Sequence, residues 1–393
     1  MIHPYYARLN RDYERLIKRR NRIARDVYHG SYERFINPVL TADHIPLHWR
    51  FDLDSRTNPY FAERLGVNSV FNPGAIRYRD TYYLVARVEG NDRKSFFALA
   101  SSKSPVDQFR FTGFPLRIEA LSDDEVNHYD MRLTEHEDGF IYGIFCVEYR
   151  DPDADPSETN KAVARAGIVR TKDLSTWERL PNLKTPSKQQ RNVVLHPEFV
   201  SGRYAFYTRP QDGFIEAGKG GGISLGYVRD IKNPVIEDET LVFGKKYHTV
   251  YEYKNGLGPP PIRTKKGFIH LAHGVRETAQ GLRYVLYLFM TDLEQIDRVI
   301  ARPGGYFMAP VNDERFGDVG NVLFSNGWIR NEKDEIFIYY ASSDTRVHVA
   351  KTSVDRLLDY LIYTPQEVYR TNESVEQRIS LIERNHKSFK NEV

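Results

Sequence analysis

The stretch NHYDMRLTEHEDG, residues 127–139, places a carboxylate and a guanidinium close together in this 393-residue chain. Asp130 and Arg132 are two positions apart, and on a strand such residues point to the same face. The pair has two interpretations. It could be a structural ion pair that holds the strand in place, or Asp130 could be an acid whose proton is used in a reaction. The distinction depends on which other polar residues share the site.

One sequence pattern recurs five times: a polar opening, a turn and a strand rich in aromatic residues. The copies are NPGAIRYRDTYYLVARVEG (72–90), YDMRLTEHEDGFIYGIFCVEY (129–149), LHPEFVSGRYAFYTRPQDG (195–213), PPPIRTKKGFIHLAHGV (259–275) and SNGWIRNEKDEIFIYYASSD (325–344). The turns lie near Asp80, Gly139, Gly202, Gly267 and Asp334. A second hairpin follows each copy, giving four strands per repeat. The pattern predicts an all-β fold, a five-bladed β-propeller, with a β-sandwich of accidental periodicity as the alternative.

Helical patterns flank the repeats at both ends of the chain. Residues 7–27 combine an apolar stripe with many arginines, and residues 353–363 and 374–388 also have helical character. No RNA- or DNA-binding motif accompanies the basic residues, which favours a solvated face or one packed on a neighbouring subunit. The predicted domains are an N-terminal helical extension (1–37), the propeller (38–350) and a C-terminal helical segment (351–393).

The overall composition excludes several classes of protein. Apolar residues make up 40% of the chain, and the net charge of only +3 does not suggest a nucleic-acid partner. Cys146 is the only cysteine, so an intrachain disulfide and a cysteine zinc site are both excluded. The sequence begins without the apolar run of a signal peptide, and it contains no stretch of membrane-helix length. We expect a cytoplasmic protein with no membrane partner.

Polar residues that open the repeats should converge on the axis, because the innermost strand of each blade lines the central channel. The set collected in this way is Asn72, Arg87, Arg93, Asp130, Arg132, Arg191, Asn192, His196, Arg209, Lys254, His273, Asp344 and Arg346. Cationic side chains outnumber carboxylates in it. Such a funnel predicts an anionic ligand, and phosphate is the anion that it suits best.

Two further motifs resemble ligand sites, but their details favour simpler interpretations. GKGGGIS (218–224) lacks the Lys-Ser/Thr ending and the following helix of a phosphate loop, which favours a flexible hairpin. In HLAH (270–273), His270 and His273 face opposite sides of a strand and cannot chelate together. No other His, Asp or Glu spacing suggests a metal, so we expect neither a metal nor a cofactor.

Several long stretches closely resemble glycoside hydrolase family 130, from about residue 38 to the C-terminal helical segment. They are RVEGNDRKSFFALA, YDMRLTEHEDGFIYGIFC, QQRNVVLHPEFVSGRYAFYTRPQDGF, GLGPPPIRTKKGFIHLAHGV and FSNGWIRNEKDEIFIYYASSDTRVHVA. The resemblance implies a five-bladed propeller that phosphorolyses a β-mannoside with inversion, giving α-D-mannose 1-phosphate. The resemblance is strongest to members that act on 4-O-β-D-mannosyl-D-glucose. Because the apolar stripes of the two terminal helical segments need cover, we expect a homo-oligomer, and the resemblance implies a hexamer.

The same resemblance assigns roles to individual residues. Asp130 falls on the catalytic acid. The phosphate-binding positions fall on Arg191, Asn192, Arg209, Lys254, His273 and Tyr284. The mannose-contacting positions fall on Asn72, Arg93 and Asp344, and the funnel adds Arg87, Arg132 and His196 as substrate-binding candidates. Phosphate is a co-substrate here, and because it arrives as an anion, the reaction needs one acid and no carboxylate base.

Two alternatives remain open at this stage. A β-1,4-mannooligosaccharide phosphorylase would differ in the loops around the channel mouth, where a longer acceptor would bind. A non-catalytic mannan-binding propeller would keep the sugar-binding face without turnover. The presence of Asp130 together with a complete set of cations argues against this second alternative.

Overall fold

Short strands separated by turns form five antiparallel sheets of four or five strands and one two-stranded ribbon in the computed structural model, which describes residues 2–159 and 161–391. The chain begins with α1 (Tyr6–Ile17), β1 (Glu33–Arg34), a 3-10 helix (Ala42–His44) and α2 (Leu47–Arg50). Blade one contains β2 (Val67–Tyr78), β3 (Thr81–Gly90), β4 (Ser95–Ser102) and β5 (Arg110–Phe111). Blade two contains β6 (Glu125–Glu135), β7 (Ile141–Arg150), β8 (Ala162–Thr171) and β9 (Glu178–Leu183).

The remaining blades repeat this antiparallel order. A short ribbon of β10 (Gln189–Gln190) and β13 (Pro210–Gln211) adjoins blade three, which contains β11 (Val194–Val200), β12 (Arg203–Thr208), β14 (Ile223–Val228) and β15 (Thr240–Phe243). Blade four contains β16 (Lys254–Leu257), β17 (Ile262–Arg263), β18 (Phe268–Thr278), β19 (Gly281–Thr291) and β20 (Val299–Ala301). After a 3-10 helix (Asn312–Arg315), blade five contains β21 (Leu323–Arg330), β22 (Glu335–Ser342) and β23 (Arg346–Ser353).

The five predicted turns are confirmed, because each joins the innermost strand of a blade, or its last segment in blade four, to the next strand. Gly139, Gly202 and Gly267 have φ of 81°, 71° and 156°, a region that glycine enters at little cost. Asp334 is also left-handed, with φ of 60°. The prediction of an all-β, five-bladed propeller with helical extensions is therefore confirmed.

The inner strand of blade four is divided into two pieces. β16 and β17 both pair with β18, on either side of residues 258–261. These four residues are Gly-Pro-Pro-Pro, and proline has no backbone N–H to give to a strand ladder. The interruption leaves the Gly258 carbonyl free to accept a hydrogen bond from another blade.

Blade five is completed by the N-terminal part of the chain, within the segment predicted to be a separate extension. β1 pairs with β23 as the outermost strand. Arg34 is buried there, forms an ion pair with Glu314 and donates to the Tyr340 hydroxyl (3.1 Å) and the Ala309 carbonyl (2.7 Å). The propeller thus begins before the predicted boundary at residue 38, and its two ends are held in one sheet.

The predicted helix over residues 7–27 is wrong in its second half, because α1 ends at Ile17. Asn21 fixes the following segment in an extended form by donating to the Asn37 carbonyl (2.8 Å) and the Val106 carbonyl (3.0 Å). Ala24 N–H then donates to the Arg34 carbonyl. Ala24 N–H thus has a distant backbone partner in place of the local carbonyl that a helix would have supplied.

The two predicted C-terminal helices are confirmed as α3 (Val354–Tyr363) and α4 (Thr371–Asn391). The Ser353 hydroxyl caps α3 by accepting from Arg356 N–H at 3.2 Å. Leu357 and Leu361 bury the helix against the core between blades four and five. No helix in the described residues is long and apolar enough to span a bilayer.

Apolar side chains fill the spaces between neighbouring blades. Between blades one and two, for example, Val85 packs with Met131 and Phe145. Equivalent clusters occupy the other four junctions. The core therefore forms a ring, which leaves the axis to polar side chains.

Candidate active site

Irregular inner strands bring the polar residues of different blades together. β-bulges interrupt the pairing at Phe71/Gly74 in β2 and at Tyr129/Arg132 in β6. Asn72, Asp130 and Asn192 have φ of 44°, 59° and 56°, a left-handed conformation that Asn and Asp tolerate better than most residues. A bulge changes the direction of a side chain relative to strand alternation. The sequence thus places each of these three side chains where it can contact a neighbouring blade.

Asp130 receives two donors on the same carboxyl oxygen. Asn72 Nδ2 lies 3.1 Å and Arg87 Nη1 lies 3.3 Å from Asp130 Oδ1. The Arg87 guanidinium is held between the Phe71 and Tyr129 rings, 4.5 Å from each centroid. Neither donor uses Asp130 Oδ2. In the acid form of Asp130, the proton therefore belongs on Oδ2, where it can be given to a substrate.

The interpretation of Asp130 and Arg132 as a side-chain ion pair is wrong. Arg132 Nη1 donates to the Asp130 backbone carbonyl at 2.8 Å, Nε donates to the Gly258 carbonyl at 3.1 Å, and Nη2 donates to Asn192 Oδ1 at 2.7 Å. The bulge between Tyr129 and Arg132 breaks the alternation on which that interpretation depended. Burial lowers the pKa of Arg132 to about 10, so it stays charged at neutral pH and links blades two, three and four. Its contacts favour a positioning role over direct substrate binding.

Cationic residues predicted to bind phosphate gather on blades three and four. Arg209 Nη1 donates to His273 Nε2 at 3.2 Å, and Asn192 Nδ2 lies 3.4 Å from the same nitrogen. A side chain at Gly256 would approach His273 Cε1 to 2.8 Å and Arg209 Cδ to 3.2 Å, so this contact needs a residue without Cβ. Lys254 begins the same strand and donates to the Ile215 carbonyl at 2.9 Å.

Arg191 joins this group to the Asp130 region. It donates to the Tyr129 hydroxyl at 3.1 Å and to the Phe214 carbonyl at 3.0 Å, and its guanidinium lies 4.4 Å from the Phe214 ring centroid. Tyr129 directly precedes the catalytic candidate in β6. The cationic cluster, defined here as Arg191, Asn192, Arg209, Lys254, His273 and Tyr284, therefore adjoins Asp130.

Burial and mutual repulsion make the cationic cluster unfavourable without an anion. Burial lowers the pKa of Lys254 to about 6, and the charges of Arg209 and Arg191 add to the effect. Burial, followed by Arg191, lowers the pKa of Arg209 to about 9, which leaves its guanidinium charged at neutral pH. Burial also holds the pKa of His273 well below its ordinary value, with Arg209 contributing. An anion of two negative charges would relieve this repulsion.

Phosphate binding should be accompanied by uptake of about one proton between about pH 7.5 and 8.5. Lys254 is mostly neutral above its pKa of about 6, and a bound dianion favours its charged form. Because the complex holds the additional proton, affinity for the dianion should fall by up to about tenfold per pH unit as pH rises. Calorimetry in two buffers of different ionisation enthalpy measures the uptake.

Two lysine variants provide the comparison for this measurement. Lys254→Met should abolish the uptake, whereas Lys245→Met should retain it, since Lys245 lies outside the cationic cluster and donates to the Gly218 carbonyl. Equal uptake by the wild-type chain and Lys254→Met would show that another group takes up the proton.

Asp344 and Tyr284 extend the two halves of the site. Burial raises the pKa of Asp344 to about 7; Asp130 and Glu89 raise it further, and Arg87 opposes them. Asp344 therefore lies in the same part of the site as Asp130, Glu89 and Arg87. Tyr284 stacks on His273 with ring centroids 6.0 Å apart, and burial raises its pKa, opposed by Arg209 and Arg191. The Tyr284 phenol therefore stays protonated at neutral pH and is a hydrogen-bond donor within the cationic cluster.

In the part of the chain that the structure describes, three predicted funnel residues have no side-chain hydrogen bond to Asp130 or to the cationic cluster. His196 is fully buried between blades, with its ring centroid 4.6 Å from that of Phe268, and burial lowers its pKa to about 3. Arg93 is exposed in the β3–β4 hairpin. Arg346 donates to the Asp313 carbonyl at 2.8 Å and supports the turn there. Being near the start of a repeat does not determine which way a side chain points.

The sequence analysis missed Glu89, which accepts from Arg87 Nη2 at 2.5 Å. Arg87 and Glu89 are two positions apart on the regular strand β3, so the rule applied to Asp130 and Arg132 would have found this pair. The Gly-rich stretch 218–224 also contributes, through the Gly221 carbonyl, which accepts from Asn255 N–H at 2.8 Å next to Lys254. In the described residues, no group of three His, Cys, Asp or Glu side chains could hold a metal ion.

Comparison with known sequences decides the family. The sequence model of glycoside hydrolase family 130, described as beta-1,4-mannooligosaccharide phosphorylase, matches residues 46–362. The chain belongs to glycoside hydrolase family 130. The 4-O-beta-D-mannosyl-D-glucose phosphorylase of Bacteroides fragilis is 53% identical to it over 384 residues, covering 98% of each chain. The beta-1,4-mannooligosaccharide phosphorylase of Ruminococcus albus is 28% identical over 334 residues, covering 80% of this chain and 90% of that one.

Solved structures of this family share the fold. The beta-1,2-mannobiose phosphorylase of Listeria innocua superposes with a TM-score of 0.64 at 20% identity, covering 76% of this chain and 94% of that one. A further structure comes from work on glycoside hydrolases, within the GH130 family of mannoside phosphorylases, that target beta-1,2 mannosidic linkages in Candida mannan. It superposes with a TM-score of 0.65 at 16% identity, covering 86% of this chain and 97% of that one. At these identities the likeness shows the propeller alone.

Proposed function

We propose that this family 130 protein phosphorolyses 4-O-β-D-mannosyl-D-glucose with inversion, giving α-D-mannose 1-phosphate and D-glucose. The observation that carries the proposal is the adjacency of Asp130 to a buried cluster of cations. An inverting hydrolase requires a carboxylate base on the face of the sugar opposite the acid, whereas a phosphate anion is already a nucleophile. The other carboxylates of the site, Glu89 and Asp344, lie with Arg87 on the same side as Asp130. The arrangement thus suits phosphate as the attacking group.

In the proposed reaction, Asp130 supplies the proton and the cationic cluster supplies the nucleophile. The proton on Asp130 Oδ2 goes to the oxygen that leaves with glucose, while Asn72 and Arg87 hold Oδ1 in place. A phosphate oxygen attacks the anomeric carbon from the opposite face, and the bond to glucose breaks. Arg191, Arg209 and Lys254 balance the phosphate charge throughout, since their field is fixed before the reaction begins.

The choice of substrate rests on the relatives. The Bacteroides fragilis phosphorylase, named for mannosylglucose, is similar over nearly the entire chain, and the Ruminococcus albus phosphorylase, named for mannooligosaccharides, is more distant. We therefore rank a β-1,4-mannooligosaccharide substrate second. A non-catalytic mannan-binding propeller ranks third, because binding alone would not require an acid beside a phosphate site.

A screen in the direction of synthesis separates these proposals. The chain is incubated with α-D-mannose 1-phosphate and, in turn, glucose, mannose, N-acetylglucosamine and mannobiose, and phosphate release is measured. Glucose should be the best acceptor. Preference for mannobiose would favour the oligosaccharide phosphorylase, and no phosphate release with any acceptor would favour the binding protein.

We further propose that the protein acts in the cytoplasm as a homo-oligomer, a hexamer by likeness to the family. Cys146 is a buried free thiol, as suits a reducing compartment. Exposed apolar residues on the N-terminal segment, including Ile23 and Tyr28, and on the C-terminal helix α4 support contacts between copies. Besides the disaccharide and phosphate, the proposal involves no nucleic acid, membrane or cofactor.

A further inference from the structure

The helix α4 carries an apolar seam with the spacing of a coiled coil. Val375, Ile379, Ile382, His386 and Phe389 follow one another at steps of four, three, four and three residues, and the 21-residue helix holds three heptads. This period of 3.5 residues keeps one face of a helix against a partner helix along its length. In heptad terms, Ile379 and His386 are a positions, and Val375, Ile382 and Phe389 are d positions.

The apolar side chains of the seam are exposed to solvent. Exposed fractions are 47% for Val375, 40% for Ile379, 54% for Ile382 and 67% for Phe389. A link between α4 and the body comes from another face, where Gln377 Nε2 donates to the Gln366 carbonyl at 3.3 Å. A row of large apolar side chains at coiled-coil spacing that faces solvent indicates a missing helical partner.

Charges beside the seam favour a second copy of the same helix in parallel orientation. Arg378 is a g position and Glu383 is the e position of the next heptad, so in a parallel pair each Arg378 faces Glu383 of the partner subunit. An antiparallel pair would instead bring Glu376 opposite Glu383. Like charges there would repel.

The side chains within the seam also favour parallel pairing of the two α4 helices. Parallel pairing places each polar a residue, Asn372 and His386, opposite its own copy. Antiparallel pairing would place His386 against Val375 and Asn372 against Phe389. We propose that α4 pairs with α4 of a second copy of this chain as a parallel, two-stranded coiled coil. This surface is separate from the candidate active site, and the proposal does not rest on the enzymatic one.

Disulfide trapping in the full chain tests this pairing. Ile382→Cys places a thiol at a d position of the seam, and Leu381→Cys places one on a different face of the same helix. The native Cys146 is buried, so it interferes little. Under mild oxidation, Ile382→Cys should form a covalent dimer at least about tenfold faster than Leu381→Cys, owing to the high effective concentration across the seam. Equal rates, or no dimer from either variant, would overturn the proposal.

A charge exchange distinguishes the pairing from a general effect on α4. In the Ile382→Cys background, Arg378→Glu should slow trapping severalfold, and adding Glu383→Arg should restore it. Phosphorolysis should be unchanged in all of these variants, since α4 lies outside the acid and the cationic cluster. If the double exchange remains as slow as the single one, Arg378 and Glu383 do not meet across the seam and the parallel assignment is wrong.

Discussion

Asp130→Asn should lower kcat for phosphorolysis by about 10²–10⁴-fold or more while the chain remains folded. The amide keeps the size of the side chain and can still accept from Asn72 and Arg87, but it has no proton to give to the leaving oxygen. Initial rates of glucose release at saturating phosphate and disaccharide measure the effect, and a thermal melt confirms folding.

Asp80→Asn serves as the matched control, because the Asp80 side chain is 92% exposed in a turn of blade one. Its rate should equal that of the wild-type chain. Near wild-type turnover by Asp130→Asn would mean that Asp130 only holds neighbouring strands together through Asn72 and Arg87, and another acid would have to be sought.

Arg209→Ala should raise the KM for phosphate far more than the KM for the disaccharide. A charge-assisted hydrogen bond is worth roughly 1.5–3 kcal/mol, which corresponds to about a ten- to hundredfold change. The same variant should be impaired with α-D-mannose 1-phosphate, because both directions use the same phosphate site. Varying each substrate in turn separates the two KM values.

Arg203→Ala is the control for this experiment. Arg203 lies at the opposite end of β12, with its guanidinium 4.2 Å from the Tyr227 ring centroid, outside the cationic cluster. Its phosphate kinetics should be normal. If Arg209→Ala weakened disaccharide binding and left phosphate kinetics unchanged, Arg209 would belong to the sugar site.

The fold was predictable from sequence where local signals repeat. Each blade has a turn that contains Gly or Asp, followed by an aromatic strand, and five copies of that signal indicate the architecture. The closing strand β1 was not predictable, because Glu33 and Arg34 have no alternating pattern of their own and pair only with a strand more than 300 residues away. The end of α1 at Ile17 was not predictable either, because Asn21, which follows it, is held by the distant carbonyls of Asn37 and Val106.

The candidate site was predictable in its residue types and only partly in its contacts. The cations on blades three and four do come together, as the sequence predicted. The ion-pair partner of Asp130 is Arg87 on β3 of the neighbouring blade, because a bulge removes Arg132 from the expected face. Bulges and left-handed residues decide side-chain direction, and Asn or Asp at such positions is only a weak signal in a single sequence.

Dependence of cleavage on phosphate is the most direct test of the proposed reaction. The purified chain is incubated with 4-O-β-D-mannosyl-D-glucose, with and without inorganic phosphate, and the products are followed by ¹H and ³¹P NMR. We expect glucose to appear only with phosphate, together with an equal amount of α-D-mannose 1-phosphate. Equal cleavage without phosphate, with release of free mannose, would make the protein a hydrolase and contradict the assignment of the cationic cluster as a phosphate site.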